Sequence, residues 1–314
     1  MWKYAALFDV PDKPTALELA MHDPEWWTRE GCNLRVGQMG YRTITTLAGD
    51  ILVAEIHPVW GRETRGKVKQ ATYNLTADRI QKYNTARAKF HLELLLDTNF
   101  TEDDLSMTLT YTDNPREAEV RKDVKNYIAR LKRARKRKGL PEMKYVYAIE
   151  DERDGRAKQL HCHLVMSGGI ERKEAEEIWR KGSDKRGFTN CDQLQPEKEG
   201  LRKLAFYIYD QNRGKERAKG KRHYSCSKNL TEPKVRRSMS RVRPSKVRKM
   251  ARDFNAVAPS IMEKVYPGYE FVRGLRYQEN ESGTMSESCV KFSDYIDGVY
   301  IRVMMKRITG GRRK

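Results

Sequence analysis

None of the five cysteines (Cys32, Cys162, Cys191, Cys226, Cys289) forms a C-x-x-C pair, which argues against a zinc ribbon and against a disulfide framework. No apolar run is long enough to span a bilayer, and the N-terminus offers only the short run Ala5 to Phe8. A soluble, intracellular protein without a membrane partner is therefore the expectation. Internal repeats and long low-complexity linkers are missing too. Carboxylates are scarce beside cations, 43 against 63, for a formal charge of +20 and a pI near 9.7. That excess favours polyanionic partners, nucleic acid first. A ribosomal or coat-associated protein would be equally basic, so charge alone does not separate an enzyme from a passive binder.

Histidine is sparse, with six in 314 residues, yet two stand in His161-Cys162-His163 within the apolar run Leu160 to Met166. A strand turns alternate side chains to one face, so both imidazoles can address one ion. The segments Lys144 to Glu150 and Gln159 to Met166 read as strands joined through Asp154-Gly155, a hairpin. A loop over Asp154 to Ala157 sets Glu150 opposite His161 and Ala148 opposite His163. Glu152 has the same parity and is the second candidate carboxylate, because register decides which one faces the histidines. Two imidazoles and a carboxylate can hold Mg²⁺ or Mn²⁺ as a Lewis acid for phosphodiester cleavage, with imidazole tilting the choice toward Mn²⁺.

Upstream, Leu75 to Asp97 reads as a helix with Thr76 as N-cap. Leu105, Met107, Leu109 and Tyr111 alternate with polar residues, the period of a half-buried strand. Asn114 as N-cap, Pro115 as first helical residue and Glu117 behind them predict a helix start. That helix carries Val120, Val124, Tyr127, Ile128 and Leu131 on one stripe and ends in Arg130, Lys132, Arg133, Arg135, Lys136, Arg137 and Lys138, stopped by Gly139 and Pro141. Arg133, Arg135, Lys136 and Arg137 are candidate nucleic-acid contacts.

Glu197 to Asn212 reads as an amphipathic helix on the stripe Leu201, Leu204, Ala205 and Ile208. Tyr207 lies off that stripe, one turn after Lys203, whereas Tyr209 falls near the apolar edge and is explained by packing. A phenol with a pKa near 10 is protonated at neutral pH, so attack on phosphorus needs help from Lys203 or from a metal-bound phosphate. Beyond it, Arg213 to Arg252 is densely basic with His223 and Tyr224 interleaved. Lys221, Arg222, Tyr224 and Lys228 are candidates there, the cations for phosphates and the ring for unpaired bases.

The order Leu105-Ser-Met-Thr-Leu-Thr-Tyr111, His161-Cys-His163, Leu204-Ala-Phe-Tyr207-Ile and Arg222-His-Tyr-Ser-Cys-Ser-Lys-Asn-Leu230 resembles the replication initiators of the HUH endonuclease superfamily, of the rolling-circle type found in bacterial phages and mobile elements. Tyr83-Asn84 and Asn99-Phe100 add to the likeness, which covers about Thr72 to Leu230. The resemblance implies an α+β fold, a central antiparallel sheet of ferredoxin-related kind flanked by helices, with extra N- and C-terminal elements. It implies that His161 and His163, with Glu150, are metal ligands, and that Tyr207 attacks single-stranded origin DNA. A 5′-phosphotyrosine and a free 3′-hydroxyl for host polymerase would result, in the cytoplasm of a bacterial cell. Family members usually carry lysine three residues after the tyrosine, where this chain has Asp210, so Lys203 is the substitute. A relaxase or single-strand transposase with the same chemistry is the alternative enzyme, and a non-catalytic nucleic-acid-binding protein is the alternative outside that class.

Gly61-Arg-Glu-Thr-Arg-Gly66-Lys67 fits phosphate-loop spacing, but Val68 stands where a hydroxyl would hold Mg²⁺ and no helix start follows. It reads as a loop, so unwinding is expected to need a host helicase. The chain is expected to divide into residues 1–71 without assignable chemistry, a nicking domain with basic extension at 72–254, and a β-rich region with a basic tail at 255–314.

Overall fold

The computed structural model describes residues 38–60, 77–113, 115–150, 160–181, 186–210, 223–274, 289–291 and 299–308. Two antiparallel sheets flanked by helices make an α+β protein. The chain separates into two compact units, residues 1–88 with 233–314, and residues 89–232. This differs from the division expected at 71/72 and 254/255, because strands from both ends of the chain share one sheet. Thr76, Asn114, Glu152, the Asp154-Gly155 turn and the Gly61 to Lys67 loop lie outside the described residues.

The first unit holds β1 (Gln38–Ala48) and β2 (Ile51–Trp60), a hairpin closed at Gly49, whose φ of 57° suits glycine. β8 (Lys234–Ser238) pairs with the other side of β1. β11 (Val299–Arg307) pairs with β2, β9 (Tyr269–Gly274) and β10 (Cys289–Lys291). Tyr41, Leu52, Ala54, Ile56, Ile301 and Val303 alternate onto one sheet face and pack with Val247 and Met250 of α5 (Pro244–Arg252) and Met262 of α6 (Phe254–Val265). On the opposite face Glu55 accepts from the Tyr300 hydroxyl at 2.9 Å and pairs with Arg302 Nε at 3.2 Å, beside the buried His57 ring, whose centroid is 5.0 Å from that of Tyr300.

The second unit runs β3 (Leu105–Tyr111), α2 (Glu117–Arg137), β4 (Tyr145–Glu150), β5 (His161–Met166), α3 (Arg172–Arg180), β6 (Arg186–Gln193), α4 (Arg202–Asp210) and β7 (Ser225–Cys226). Sheet order β6-β3-β5-β4-β7 makes the first four strands a βαββαβ arrangement of ferredoxin-like topology, with β7 added beside β4 and β5 in the middle. Alternation builds its core. Leu105, Met107, Leu109 and Tyr111 of β3, Tyr147 and Ile149 of β4, and Cys162, Leu164 and Met166 of β5 face Val120, Val124, Tyr127 and Leu131 of α2 and Trp179 of α3. Trp179 is fully buried, edge-on to Tyr111 and Tyr127. The residues after Lys89 in α1 (Ala77–Asn99) belong to this unit.

Two expectations about α2 are corrected. The helix begins at Glu117 rather than Pro115, since Arg116 is its N-cap and the Glu119 carboxylate accepts from the Arg116 backbone N–H at 3.0 Å. Its end matches the expected glycine stop: Gly139 adopts φ 67°, and the N–H groups of Gly139 and Leu140 donate to the carbonyls of Lys136 and Arg135. Arg135, expected to contact nucleic acid, is turned inward and only 4% exposed. Its guanidinium donates to the carbonyls of Pro141, Ser167 and Gly168, tying the turn after α2 to the turn after β5. Arg133, Lys136 and Arg137 are exposed.

These positions predict distinct behaviours. Arg135→Ala leaves three carbonyls without their donor and is expected to lower unfolding free energy by about 2 kcal/mol in urea titration. Arg133→Ala and Lys136→Ala are expected to stay within about 0.5 kcal/mol of the parent. In the first unit, burial lowers the His57 pKa from 6.5 to about 4, opposed by Glu55 and reinforced by Arg42 and Arg302. The unfolded chain therefore binds the extra proton first, so this contribution is complete above pH 6.5 and is lost as pH falls toward 4. Denaturation of His57→Phe at pH 7 and pH 4 is expected to show a stability difference smaller than the parent's, by on the order of 3 kcal/mol.

Candidate active site

β5 directs Cys162 into the helix-packed core and His161 and His163 to the other sheet face. Burial pushes the Cys162 thiol up, so it remains protonated and packs as a small apolar group. Cys191 behaves likewise, its thiol pushed up to about 12 by burial. The imidazole centroids of His161 and His163 are 5.5 Å apart with planes near perpendicular. Register sets Thr108 and Ala148 on either side of His163, and Glu150 directly across from His161. That β4–β5 register is the one the hairpin reading requires.

The Thr108 hydroxyl lies 3.3 Å from His163 Nδ1. This contact suits an Nδ1–H tautomer, with the lone pair of Nε2 left for a ligand bond. Among the described residues no group of three His, Cys, Asp or Glu could by itself hold a metal ion. The donor set that fits a divalent ion is the imidazole pair together with the carboxylate position at Glu150.

α4 carries the phenols. Leu201, Ala205 and Ile208 are buried, and Tyr209 is buried with its ring stacked on His223 at 4.3 Å. Tyr207 is 50% exposed, and its ring meets His163 edge-on with centroids 4.8 Å apart. Of the two tyrosines, Tyr207 is thus the one beside the histidines. Lys203, one turn earlier, pairs with Glu197 at 2.7 Å and lines with Tyr207 a cavity of ≈ 430 Å³ that also includes Ser106, Asp192 and Gln193. Asp210 is the last residue of α4.

α4 starts at Arg202, later than the expected Glu197, because Glu197 and Gly200 close a tight turn through reciprocal backbone hydrogen bonds. α1 holds that start. Asp97 Oδ1 accepts from the Leu201 N–H at 2.7 Å, and the fully buried Glu93 accepts from Arg202 at 3.0 Å. Arg202 in turn lies 4.2 Å over the Phe206 ring. Gly200 has φ 68°, and a Cβ there would stand 2.8 Å from Asp97 Cγ. The carboxylate, the glycine and the helix start form one close-fitting unit that aims Tyr207.

The remaining candidates sit apart from this cluster or beyond description. Lys228 is exposed, and the Tyr224 hydroxyl lies 3.2 Å from His91 Nδ1. Lys221 and Arg222 lie outside the described residues. Thr108, Glu93, Asp97 and Gly200 were not singled out from sequence. Only Thr108 had a signal, its place on the polar side of the alternating run of β3.

Residues 104–212 match the family model of the replication-associated protein ORF2. The matched segment runs from just before β3 to just past α4, so it contains both histidines and Tyr207. It supports a replication-associated role. No curated protein and no solved structure matches the chain. Among the described residues no helix is long and apolar enough to cross a membrane.

Gly200→Ala is expected to lower unfolding free energy by at least about 1 kcal/mol, through the left-handed backbone and the approach of Asp97. Chemical denaturation checks it, with Gly139→Ala as the comparison, since a Cβ at Gly139 meets nothing within 4 Å.

Proposed function

We propose that this protein initiates rolling-circle replication by nicking and rejoining single-stranded DNA, as an HUH-type nuclease with Tyr207 as nucleophile. The observation that carries this reading is the exposed Tyr207 ring packed edge-on against His163, within the replication-associated segment. His161, His163 and Glu150 are the residues that would hold Mg²⁺ or Mn²⁺. A divalent ion bound there supplies Lewis acidity to an oxygen of the scissile phosphate.

The chain's own residues do the rest. Thr108 fixes the His163 ring, and the Asp97–Gly200 contact and Glu93–Arg202 pair hold α4 so that the phenol stays beside the imidazoles. Tyr207 Oη forms a bond to phosphorus while the phosphorus–O3′ bond breaks, and the phenolic proton passes to the departing 3′-oxygen. A 5′-phosphotyrosine and a 3′-hydroxyl result, and attack by a 3′-hydroxyl in the reverse sense rejoins the strand. The freed hydroxyl would prime a host polymerase in the bacterial cytoplasm, with a host helicase opening the duplex. Burial of Tyr209 favours a single-tyrosine mechanism over a pair. Arg133, Lys136, Arg137 and Lys228 are exposed cations suited to flanking phosphates.

A second reading, a non-catalytic single-strand binder, draws on Asp210 at the position where lysine was expected and on the pairing of Lys203 with Glu197. Incubation with single-stranded origin DNA and Mn²⁺ separates the two. The enzyme reading expects a protein–DNA adduct that survives denaturation, disappears in Tyr207→Phe and persists in Tyr209→Phe. It also expects His161→Ala/His163→Ala to lose Mn²⁺ binding by calorimetry. An adduct still formed by Tyr207→Phe would sink the nucleophile assignment, and no adduct from the parent would favour the binder.

A further inference from the structure

Among the described residues the exposed large apolar side chains include two aromatics, Tyr207 and Phe188, the latter 81% exposed. Both are on the histidine face of the same sheet. β6 is an edge strand on which Gly187, Thr189 and Cys191 turn inward while Phe188, Asn190 and Asp192 are exposed. Asn190 pairs in register with Thr108 and Asp192 with Ser106, and Thr108 is the residue that touches His163. A row therefore runs from Phe188 through Asn190 and Thr108 to His163 and Tyr207.

Phe188 is also held in place. Its carbonyl accepts from the Thr110 hydroxyl, and a Cβ at the preceding Gly187 would stand 2.7 Å from that same Thr110 oxygen, so the two backbones approach closely there. The β3–β6 register shifts between Leu109 and Tyr111, alongside this contact. Such irregularities re-aim side chains next to functional sites. A phenylalanine kept in water on a pinned backbone gains nothing from the core. It offers instead an aromatic plane on a rigid edge. Two strand spacings, about 10 Å, separate β6 from β5. A stacked single strand covers that in about three nucleotides.

We propose that Phe188 is a stacking platform for an unpaired nucleobase of the DNA strand whose scissile phosphate lies at His161, His163 and Tyr207. The occupant is single-stranded rather than duplex DNA, because a base offers its face to an aromatic ring only when unpaired. The polar side chains of Asn190, Asp192 and Ser106 beside it match base edges better than phosphates, which the Asp192 carboxylate would repel. This assignment rests on the reading of the histidine face as a nicking site, and its test is separable from that reading.

Full-length protein is titrated with a labelled oligothymidylate, since stacking tolerates any base. Phe188→Ala is expected to weaken binding about tenfold, from the usual contribution of one stacked base. Phe188→Trp is expected to keep the affinity, and its emission to be quenched by the oligonucleotide beyond the change seen in the parent. In the adduct assay Phe188→Ala should raise KM and leave kcat unchanged. Unchanged affinity in Phe188→Ala, or no added quenching in Phe188→Trp, overturns the proposal. Unchanged affinity with loss of self-association would assign the ring to a protein contact and overturn it as well. Tyr207→Phe should bind the oligonucleotide like the parent, so loss of the adduct there and loss of affinity in Phe188→Ala report on different claims.

Discussion

The two-residue period of β5 is the constraint from which the site follows. Cys162, Leu164 and Met166 are fully buried against α2 and α3, so a slip of one residue would drive both imidazoles into a core built around Tyr127 and Trp179. Desolvating two imidazoles there without partners would cost several kcal/mol. Core packing, not a local preference of histidine, thus aims the pair. The same register puts a hydroxyl beside His163 from β3 and a carboxylate position across from His161 on β4. Three strands distant in sequence contribute to one face because the βαββαβ winding brings β5 to the middle.

Aiming the tyrosine takes a different kind of interaction. α4 has only nine residues, too few to be stable alone in water, so its orientation comes from tertiary contacts. Its apolar side supplies one set. The charged clamp from α1 supplies the other, and it is specific in a way that packing is not. The buried Glu93 carboxylate needs a cation, and Asp97 meets the N-terminal end of a helix, where backbone N–H groups lack intrahelical partners. Rotating α4 by one residue would strand Glu93 as an unpaired buried charge, an arrangement far costlier than any alternative packing of Leu204 or Phe206 would gain.

Much of this arrangement could be read from the sequence where the signal is periodic and local. The alternation of β3, the strands β4 and β5, the apolar stripe of α2 with its Gly139 stop, and the contrast between Tyr207 and Tyr209 each follow from residues within a dozen positions of one another. What could not be read depends on partners far along the chain. Arg135 looks like its neighbours in a run of cations, and only the turn carbonyls at Pro141, Ser167 and Gly168 draw it inward. The start of α4 moves to Arg202 because Gly200 meets a carboxylate 103 residues earlier in the chain, at Asp97. Likewise β11 joins β2 across most of the chain length, which composition along the sequence does not reveal.

Charge and aromaticity are also sorted between the units. From Lys234 to Arg252 the chain has nine Lys and Arg, no Asp or Glu, and no aromatic residue, on the edge strand β8 and the outer side of α5. Arg236 pairs in register with Thr45, whose hydroxyl shares a 2.6 Å hydrogen bond with Tyr266, and Arg241 stands 5.5 Å from that tyrosine ring, so strand and following turn make one continuous basic surface. Lysine and arginine on an edge strand also keep it from pairing with another chain. The α5 cations have no edge to protect, and their field acts on any polyanion through distance and salt rather than through shape. The histidine face is the opposite case, with few cations close by, two exposed rings and short-range hydrogen-bonding groups. A nucleic acid meeting both would be attracted by the first unit largely without regard to sequence and discriminated by the second, because only contacts at van der Waals range distinguish one base from another.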